Sequence, residues 1–539
     1  MAKNRSGISR RDFIKQGTAA GLGLAISPAL AGKGWAATKD NIRVLHGLGL
    51  DSLHPYNHSS SPLYGLWENV IEPMVVYDYK TSQFKGNLAE SWKLEGKKWI
   101  FKLRKGIKFS DGSPFTSADV AFSLNFMKNS KESLQRSPVR GVVEVQTPDD
   151  HTVIVVTKRK RVTFVGRSIR NRHIMSKAAV EKYMSKVVVE EKVKKGKHKG
   201  ELRKRERLFI DFSKHPPVGT GPYKLTSFKR DGDVVLRRRD DYWGQKPDIK
   251  EVIWRRVTEE AARVAGLEAG QGDIIDHVPV HEIPRLDKHP RVRVEKVPGL
   301  RIYFFGLNPA HKPWDNKLVR QAANYSVDAG SIVKNIFDGN GFVLDGSCGP
   351  HVTGSNPNVH RYPYDPNKAK ELLAKAGHKN GIDVKLYFNP ARYAKTLEVV
   401  QVVKEQMRKS GFRVELVPQE WVVYWGRSGI NGGKQPFYYI GRGSILDADI
   451  MWDQYFRTGV TKRLGYSNPE LDKLIKKEQG MSNHEERLKV MHQAEKVIME
   501  DVPFIPLYNL ADTYGVSNSV VWKPRPDEKI HAYEMKIKS

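Results

Sequence analysis

Cysteine is almost missing from this chain of 539 residues: Cys348 is the only one. An intrachain disulfide and a cysteine-rich metal site are thereby excluded, although an oxidising compartment is not. Beyond the N-terminal segment no apolar run approaches the roughly 20 residues that a helix needs to cross hydrocarbon. The motifs of common catalysts are missing as well. There is no Gly-x-Ser-x-Gly elbow, no His-Glu-x-x-His and no P-loop, and in "GTGPY" Pro222 stands where a phosphate loop wants lysine. Nothing positive therefore favours an enzyme. Negative charge is also in short supply, with 60 acidic residues against 91 basic ones and a formal charge of +31.

Such an excess raises nucleic acid as a partner, because clustered Lys and Arg release counterions from phosphate. Its densest stretch is "KVVVEEKVKKGKHKGELRKRER", Lys186 to Arg207, where ten Lys or Arg meet four Glu and no aromatic is present to stack a base. The pattern fits a solvated charged helix or a surface insertion, not a nucleic-acid site.

The chain starts with a basic stretch (Lys3, Arg5, Arg10, Arg11, Lys15), continues with the short apolar "TAAGLGLAISPAL", and reaches small residues at Ala36-Ala37. This is the layout of a cleaved export signal over residues 1–37. "SRRDFIK", from Ser9, resembles the twin-arginine motif of the Tat pathway, which predicts export by the Tat machinery. Cleavage would remove six positive charges and one negative, leaving +26, so the basic excess belongs to the mature chain. Export makes nucleic acid a poor partner. The expected product is a soluble periplasmic monomer.

At this length two or three domains are expected. Strand and helix signals alternate. "NIRVLH" reads as a strand followed by a polar loop, and "LYGLWENVIEPMVVYD" gives a helical pattern broken at Pro73. In "KKWIFKLRKGIKFSDGSPFTSADVAFSLNFM", Trp99, Phe101 and Leu103 alternate with Lys98, Lys102 and Arg104, as in a strand with one buried face. Asp111-Gly112 supplies a turn, Thr116 and Asp119 a capping box, and Val120, Leu124 and Met127 the apolar face of a helix. "GVVEVQ" and "HTVIVVT" are strands joined through Pro148-Asp149-Asp150. The clearest helix is "YDPNKAKELLAKAG": Asp365 caps it, Pro366 opens it, Ala369, Leu372, Leu373 and Ala376 share a face, and Gly377 ends it. The fold class is α/β with more than one lobe.

"LAESWKLEGKKWIFKLRKGIKFSDGSPFTSADVAFSL" (88–124), "GTGPYKL" (219), "NPAHKPWDNKLVRQAANYSVD" (308), "YDPNKAKELLAKAG" (364), "NPELDKLI" (468) and "AEKVIMEDVPFIPLY" (494) occur in that order. Together they resemble the family 5 solute-binding proteins of ABC importers, the dipeptide, oligopeptide and nickel type. The resemblance runs from about residue 40 to the C-terminus. It implies a two-lobe periplasmic binding protein of Venus-flytrap form, with chain crossings near residues 298 and 507. One lobe would comprise 38–79, 215–297 and 508–539 with an extra domain, 80–214, that includes the basic segment 186–207. The other lobe would be 298–507. It further implies a peptide or peptide-like solute, or else a nickel chelate, an anionic or a sugar-like compound, enclosed between lobes and passed to an ABC permease driven by its ATPase. No cofactor is implied.

Peptide binders of this family clamp the ligand's amine with an aspartate. The corresponding stretch here is "YYIGRGSILDADIMWDQYF", where the aspartate position falls near Ile445 and the nearest carboxylates are Asp447 and Asp449. Arg442 is either a bidentate holder of an anion, or else a surface arginine or the partner of Asp447 in a salt bridge. Trp421 and Tyr424 in "QEWVVYW" are pocket walls or core, and so is Tyr303 in "YFFGLN". His54, with His58 four residues on, is expected to line a loop without metal, because Pro55 disfavours one helix through both and two histidines do not complete a shell.

Overall fold

The computed structural model describes residues 40–538 apart from 59, 82, 131–132, 193–201, 231, 351, 391 and 444. The export signal expected over residues 1–37 lies outside the described residues. One large mixed sheet organises the chain. Its strands run in the order Tyr223–Phe228, Asp233–Arg238, Glu251–Arg256, Asn41–His46, Ile274–Asp276, Phe504–Ser517, Val292–Leu307, Phe437–Arg442, Ile382–Phe388 and Phe412–Pro418, and Gly341–Val343 adds beside Phe504–Ser517. Asn41–His46 pairs in parallel with both its neighbours, and five of its six residues are buried, as expected of an interior parallel strand covered on both faces.

Two strands are much longer than the rest. Val292–Leu307 and Phe504–Ser517 pair antiparallel from Val292 opposite Ser517 to Gly306 opposite Phe504, and the register breaks between Pro298 and Ile302. The buried apolar side chains separate on either side of that break. One cluster holds Ile42, Trp67, Phe101, Phe109, Trp254 and Val516. On the other side are one cluster with Phe305, Leu386 and Phe412 and another with Phe304, Trp452 and Ile498. Each half of the molecule thus has its own core, and the long pair runs from one to the other.

The local signals in the sequence translate directly. Ala89–Glu95, Lys98–Leu103, Thr152–Thr157 and Val142–Asp149 form a four-stranded antiparallel sheet, with Trp99, Phe101 and Leu103 facing inward. Thr116 and Asp119 complete a capping box at the start of helix Ser117–Asn129. Asp365 accepts from the backbone N–H of Asn367 and Lys368 at the start of helix Pro366–Lys375, and Gly377 follows at φ 89°. In "GTGPY", Gly219 earns its place by close approach: a Cβ there would sit 2.1 Å from the carbonyl oxygen of Val70. That stretch is framework.

Two expectations change. The helix begun at Ser61 ends at Glu68, before Pro73, and Val75–Asp78 is a strand paired with Gln83–Gly86. Of the two readings left open for the basic segment, a helix or a surface insertion, the described part is not helical: Ser185–Lys192 pairs antiparallel with Leu202–Phe209. Glu190 stands opposite Lys204, and opposite charges across neighbouring strands support the pairing. Among the described residues no helix is long and apolar enough to cross a membrane.

Candidate functional site

The strand Phe437–Arg442 pairs with the long strand Val292–Leu307 in a register that sets Arg442 opposite Ile302, at the break in the crossing pair. Arg442 therefore stands where the two halves separate. Its Nε donates to Oε1 of Gln454 at 3.1 Å, and Nη1 donates to the carbonyl of Gly443. Burial lowers its pKa to about 10, with Arg463, Arg301 and Arg167 adding to the effect. It is neither a surface arginine nor a partner of Asp447.

Aromatic rings surround the neighbouring guanidiniums of Arg463 and Arg392. Arg463, which shares Gln454 Oε1 at 3.1 Å, lies 4.7 Å above the Trp425 ring and 5.5 Å from that of Tyr455. Trp425 stacks on Trp421 at 5.7 Å with the planes 5° apart, and Arg392 lies over both Trp421 and Tyr393. Tyr393 donates to the carbonyl of Gly441 and meets Tyr303 edge-on at 5.3 Å. Cation–π contacts of this kind hold long basic side chains in place beside apolar plates. Arg442, Trp421 and Tyr303 are thus joined through one continuous set of side chains. Arg463, Gln454, Trp425, Tyr393 and Arg392 belong to it and were not found by reading the sequence. Trp425, in the same "WVVYW" turn as Trp421, offered the one local hint.

The other expected residues lie elsewhere. Tyr424 is fully buried and donates to the carbonyl of Tyr439, so it is core and not a pocket wall. His54 accepts from the N–H of Tyr56 and packs against Tyr56, Phe126 and Phe212, in the first half; His58 packs instead on Tyr64. Among the described residues no group of three or more His, Cys, Asp or Glu is placed to hold a metal.

Both aspartates are already committed inside the protein, which corrects their assignment to a ligand. Asp447 caps helix Ala448–Tyr455 and takes both Nη groups of Arg487, at 2.7 and 2.8 Å. Asp449 is completely buried and accepts from Arg161 Nη2 at 2.8 Å, from Thr163 Oγ1 at 2.7 Å and from Gln479 Nε2. Burial opposes its charge, but Arg161 and Arg167 outweigh it and hold the carboxyl far below the usual range. Asp453 beside it meets Arg167 at 2.6 Å and Arg457 at 2.6 Å. Arg161, Thr163 and Arg167 belong to the half that contains the four-stranded sheet, whereas Asp449, Asp453 and Gln479 belong to the other. The backbone N–H of Val162 adds a bond to the carbonyl of Gln479. This ionic junction joins the halves away from the crossing strands.

A second charged group lies at the crossing itself. Arg301 forms a two-pronged pair with Glu528, and a Cβ on Gly443 would sit 2.9 Å from its guanidinium. Asp512, opposite Val297 in the long pair, is pushed up by burial and by Glu528 against the pull of His277 and Arg301. A basic side built on Arg442 and an acidic side built on Asp512 thus flank Arg301.

Comparison with known proteins agrees with this architecture. The curated dipeptide-binding protein of Escherichia coli K12 is 26% identical over 477 residues, which cover 83% of this chain and 84% of that one. Heme-binding protein A of Haemophilus influenzae is also 26% identical, over 84% of this chain and 82% of its own. Among solved structures, the periplasmic binding protein DppA of Helicobacter pylori in complex with the peptide STSA superposes with a TM-score of 0.76 at 22% identity, covering 93% of this chain and 98% of that one. Residues 83–462 match the model of the bacterial extracellular solute-binding proteins, family 5. That match takes in most of the chain, and the protein belongs to this family of bacterial extracellular solute-binding proteins.

Proposed function

We propose that this chain is the solute-binding subunit of an ABC importer, which captures a peptide or peptide-like solute between its two halves and presents it to the membrane permease. The observation that carries this reading is the joint presence of family membership and two separate cores linked by one pair of crossing strands. Such a linkage suits closure by bending around a ligand. The proposed lobes are 38–79, 215–297 and 508–539 with the extra domain 80–214, and 298–507, a division that the separate cores support. The permease and its ATPase supply the work of transport, and the protein itself is a binder and not an enzyme.

Arg442 and Trp421 remain the proposed ligand-facing residues, whereas Tyr303 is buried in the core of the second half, against Tyr439 and Tyr508. A relative named for dipeptides and a neighbour solved with STSA support a peptide, whereas a relative named for heme shows that the family's solutes vary. Thermal denaturation of the mature chain with dipeptides, oligopeptides, nickel with histidine, and acidic solutes tests the ligand class. A ligand at about 100 times its Kd stabilises by about 2.7 kcal/mol, well within measurement. Peptides are expected to raise the Tm; a rise with another class and with no peptide would replace the peptide by that class.

Delivery to the periplasm through the Tat pathway is part of the same reading, supported by Arg10 and Arg11 in "SRRDFIK". Changing both to Lys is expected to leave folded precursor in the cytoplasm on cell fractionation. Normal export of the double variant would show that another route is used.

A further inference from the structure

We propose that Arg442 and Arg463 form a two-guanidinium pocket for one oxyanion of the solute, a carboxylate or a phosphate, with the rings of Trp425 and Tyr455 as its walls. This rests on the solute-binding reading above and names the chemical group taken at that site. Its basis is an imbalance of charge. Arg161, Arg167, Arg301 and Arg487 face carboxylates, at Asp449, Asp453, Glu528 and Asp447, while Arg172 and Arg320 are buried on neutral acceptors one guanidinium at a time, Arg172 on Oε1 of Gln135 at 2.7 Å and Arg320 on the carbonyls of Asp501 and Trp314. Arg442 and Arg463 instead converge on one neutral acceptor, Oε1 of Gln454, at 3.1 Å each. Arg442 also donates to the carbonyl of Gly443 and Arg463 to Oδ1 of Asn431 at 2.9 Å, both neutral.

Two half-buried cations that share a single amide oxygen repel one another. An incoming oxyanion would relieve both charges at once, and the planar donor forks suit the two oxygens of a carboxylate or the three of a phosphate. The position also fits delivery. Arg442 lies at the crossing, opposite Ile302, and Arg463 is steadied by two aromatic rings, so neither guanidinium has to be ordered when the solute arrives. A purely structural role, tying the strand end to the helix through Gln454, is the competing account.

Gln454→Glu separates the two accounts, because it gives both guanidiniums an internal carboxylate in the place of the ligand's. The mature protein, Arg442→Gln and Gln454→Glu are each titrated calorimetrically with a peptide as its free acid, the same peptide C-terminally amidated, and phosphoserine; thermal melting of each is recorded alongside. The wild type is expected to bind the free acid or phosphoserine at least about tenfold more tightly than the amide, and both variants to lose that preference. Whichever of the two anions shows the preference identifies the source of the oxyanion. Gln454→Glu is further expected to melt above the wild type, so that a loss of binding there is not a loss of folding. Equal affinity for acid and amide in the wild type, or a preference that survives in Gln454→Glu, overturns the pocket and leaves the importer reading standing. If none of these probes and no solute of the wider panel binds at all, the importer reading falls and the pocket with it.

Discussion

Asparagine in place of Asp449 is expected to loosen the junction between the halves and to lower stability by about 3–5 kcal/mol, the usual effect of removing one partner from a buried ion pair. The size follows from the surroundings. Asp449 is completely buried, and its carboxylate is shared by Arg161, Thr163 and Gln479. A neutral amide leaves Arg161 facing only the more distant Asp453, at 3.5 Å. Because Arg161 and Asp449 belong to different halves, the variant should also shift the balance toward separated halves. Small-angle scattering is expected to show a larger radius of gyration and calorimetry a weaker affinity for the solute. An unchanged radius would show that the junction does not govern closure. The dependence on pH has a fixed sign: Asp449 titrates lower in the folded than in the unfolded chain. Its contribution is complete above the ordinary aspartate value near 3.8 and is lost as the pH falls toward the folded value, and the Asn variant should lack that acid-side loss.

A comparable loss is expected from Glu68→Gln. Glu68 ends the helix Ser61–Glu68 and is buried against the C-terminal segment, where Lys529 Nζ lies at 2.5 Å and His531 Nε2 at 2.8 Å. Lys529 also donates to Asn171 at 3.0 Å, so its ammonium ties the C-terminal segment both to Glu68 and to a third part of the chain. Burial works against the Glu68 charge, yet Lys529, His173 and His531 overcome it and hold its pKa well below 4.5. Burial also pushes Lys529 down, against the pull of Glu68 and Asp527. With Gln at 68 the Lys529 ammonium loses its closest counter-ion, and denaturant unfolding should report about 3–5 kcal/mol less stability at neutral pH. The sign with pH again follows from the depressed carboxylate: the wild type keeps this contribution above about 4.5 and loses it on acidification, so the two proteins should converge in acid. A difference that persists unchanged into acid would mean that Glu68 acts through packing alone.

The elements legible in the sequence are those fixed by near neighbours. Asp365, Pro366 and Gly377 mark both ends of a helix, and the alternation of Trp99, Phe101 and Leu103 with Lys98 and Lys102 marks a strand, because each pattern repeats at the period of its own element. The basic segment was less legible: its run of charges leaves a helix and a surface insertion both open, and the structure pairs Ser185–Lys192 with Leu202–Phe209, residues too far apart in sequence for a local pattern to join. Within the candidate site the contrast is sharper. Arg442 stood out because the resemblance places it in the stretch where relatives hold the ligand's amine, whereas the fate of Asp449 was decided by Arg161, 288 residues earlier, and that of Asp447 by Arg487, 40 residues later. Gln454 could not be singled out at all, since what distinguishes it is the two arginines brought to it by the fold.

The paired strands Val292–Leu307 and Phe504–Ser517 also divide the site by the time at which its parts exist. Arg301, Asp512 and Arg442 are carried on strands hydrogen-bonded to one another around the break between Pro298 and Ile302, so their spacing is set when the sheet forms. Arg161 and Arg167 have no such tie to Asp449 and Asp453, and that contact comes into being only when the halves meet. On the proposed reading a solute would find Arg442 already in place, and the ionic junction would register, afterwards, that the halves had met around it. Affinity and the signal of occupancy would then reside in different residues, and each could change in evolution without the other.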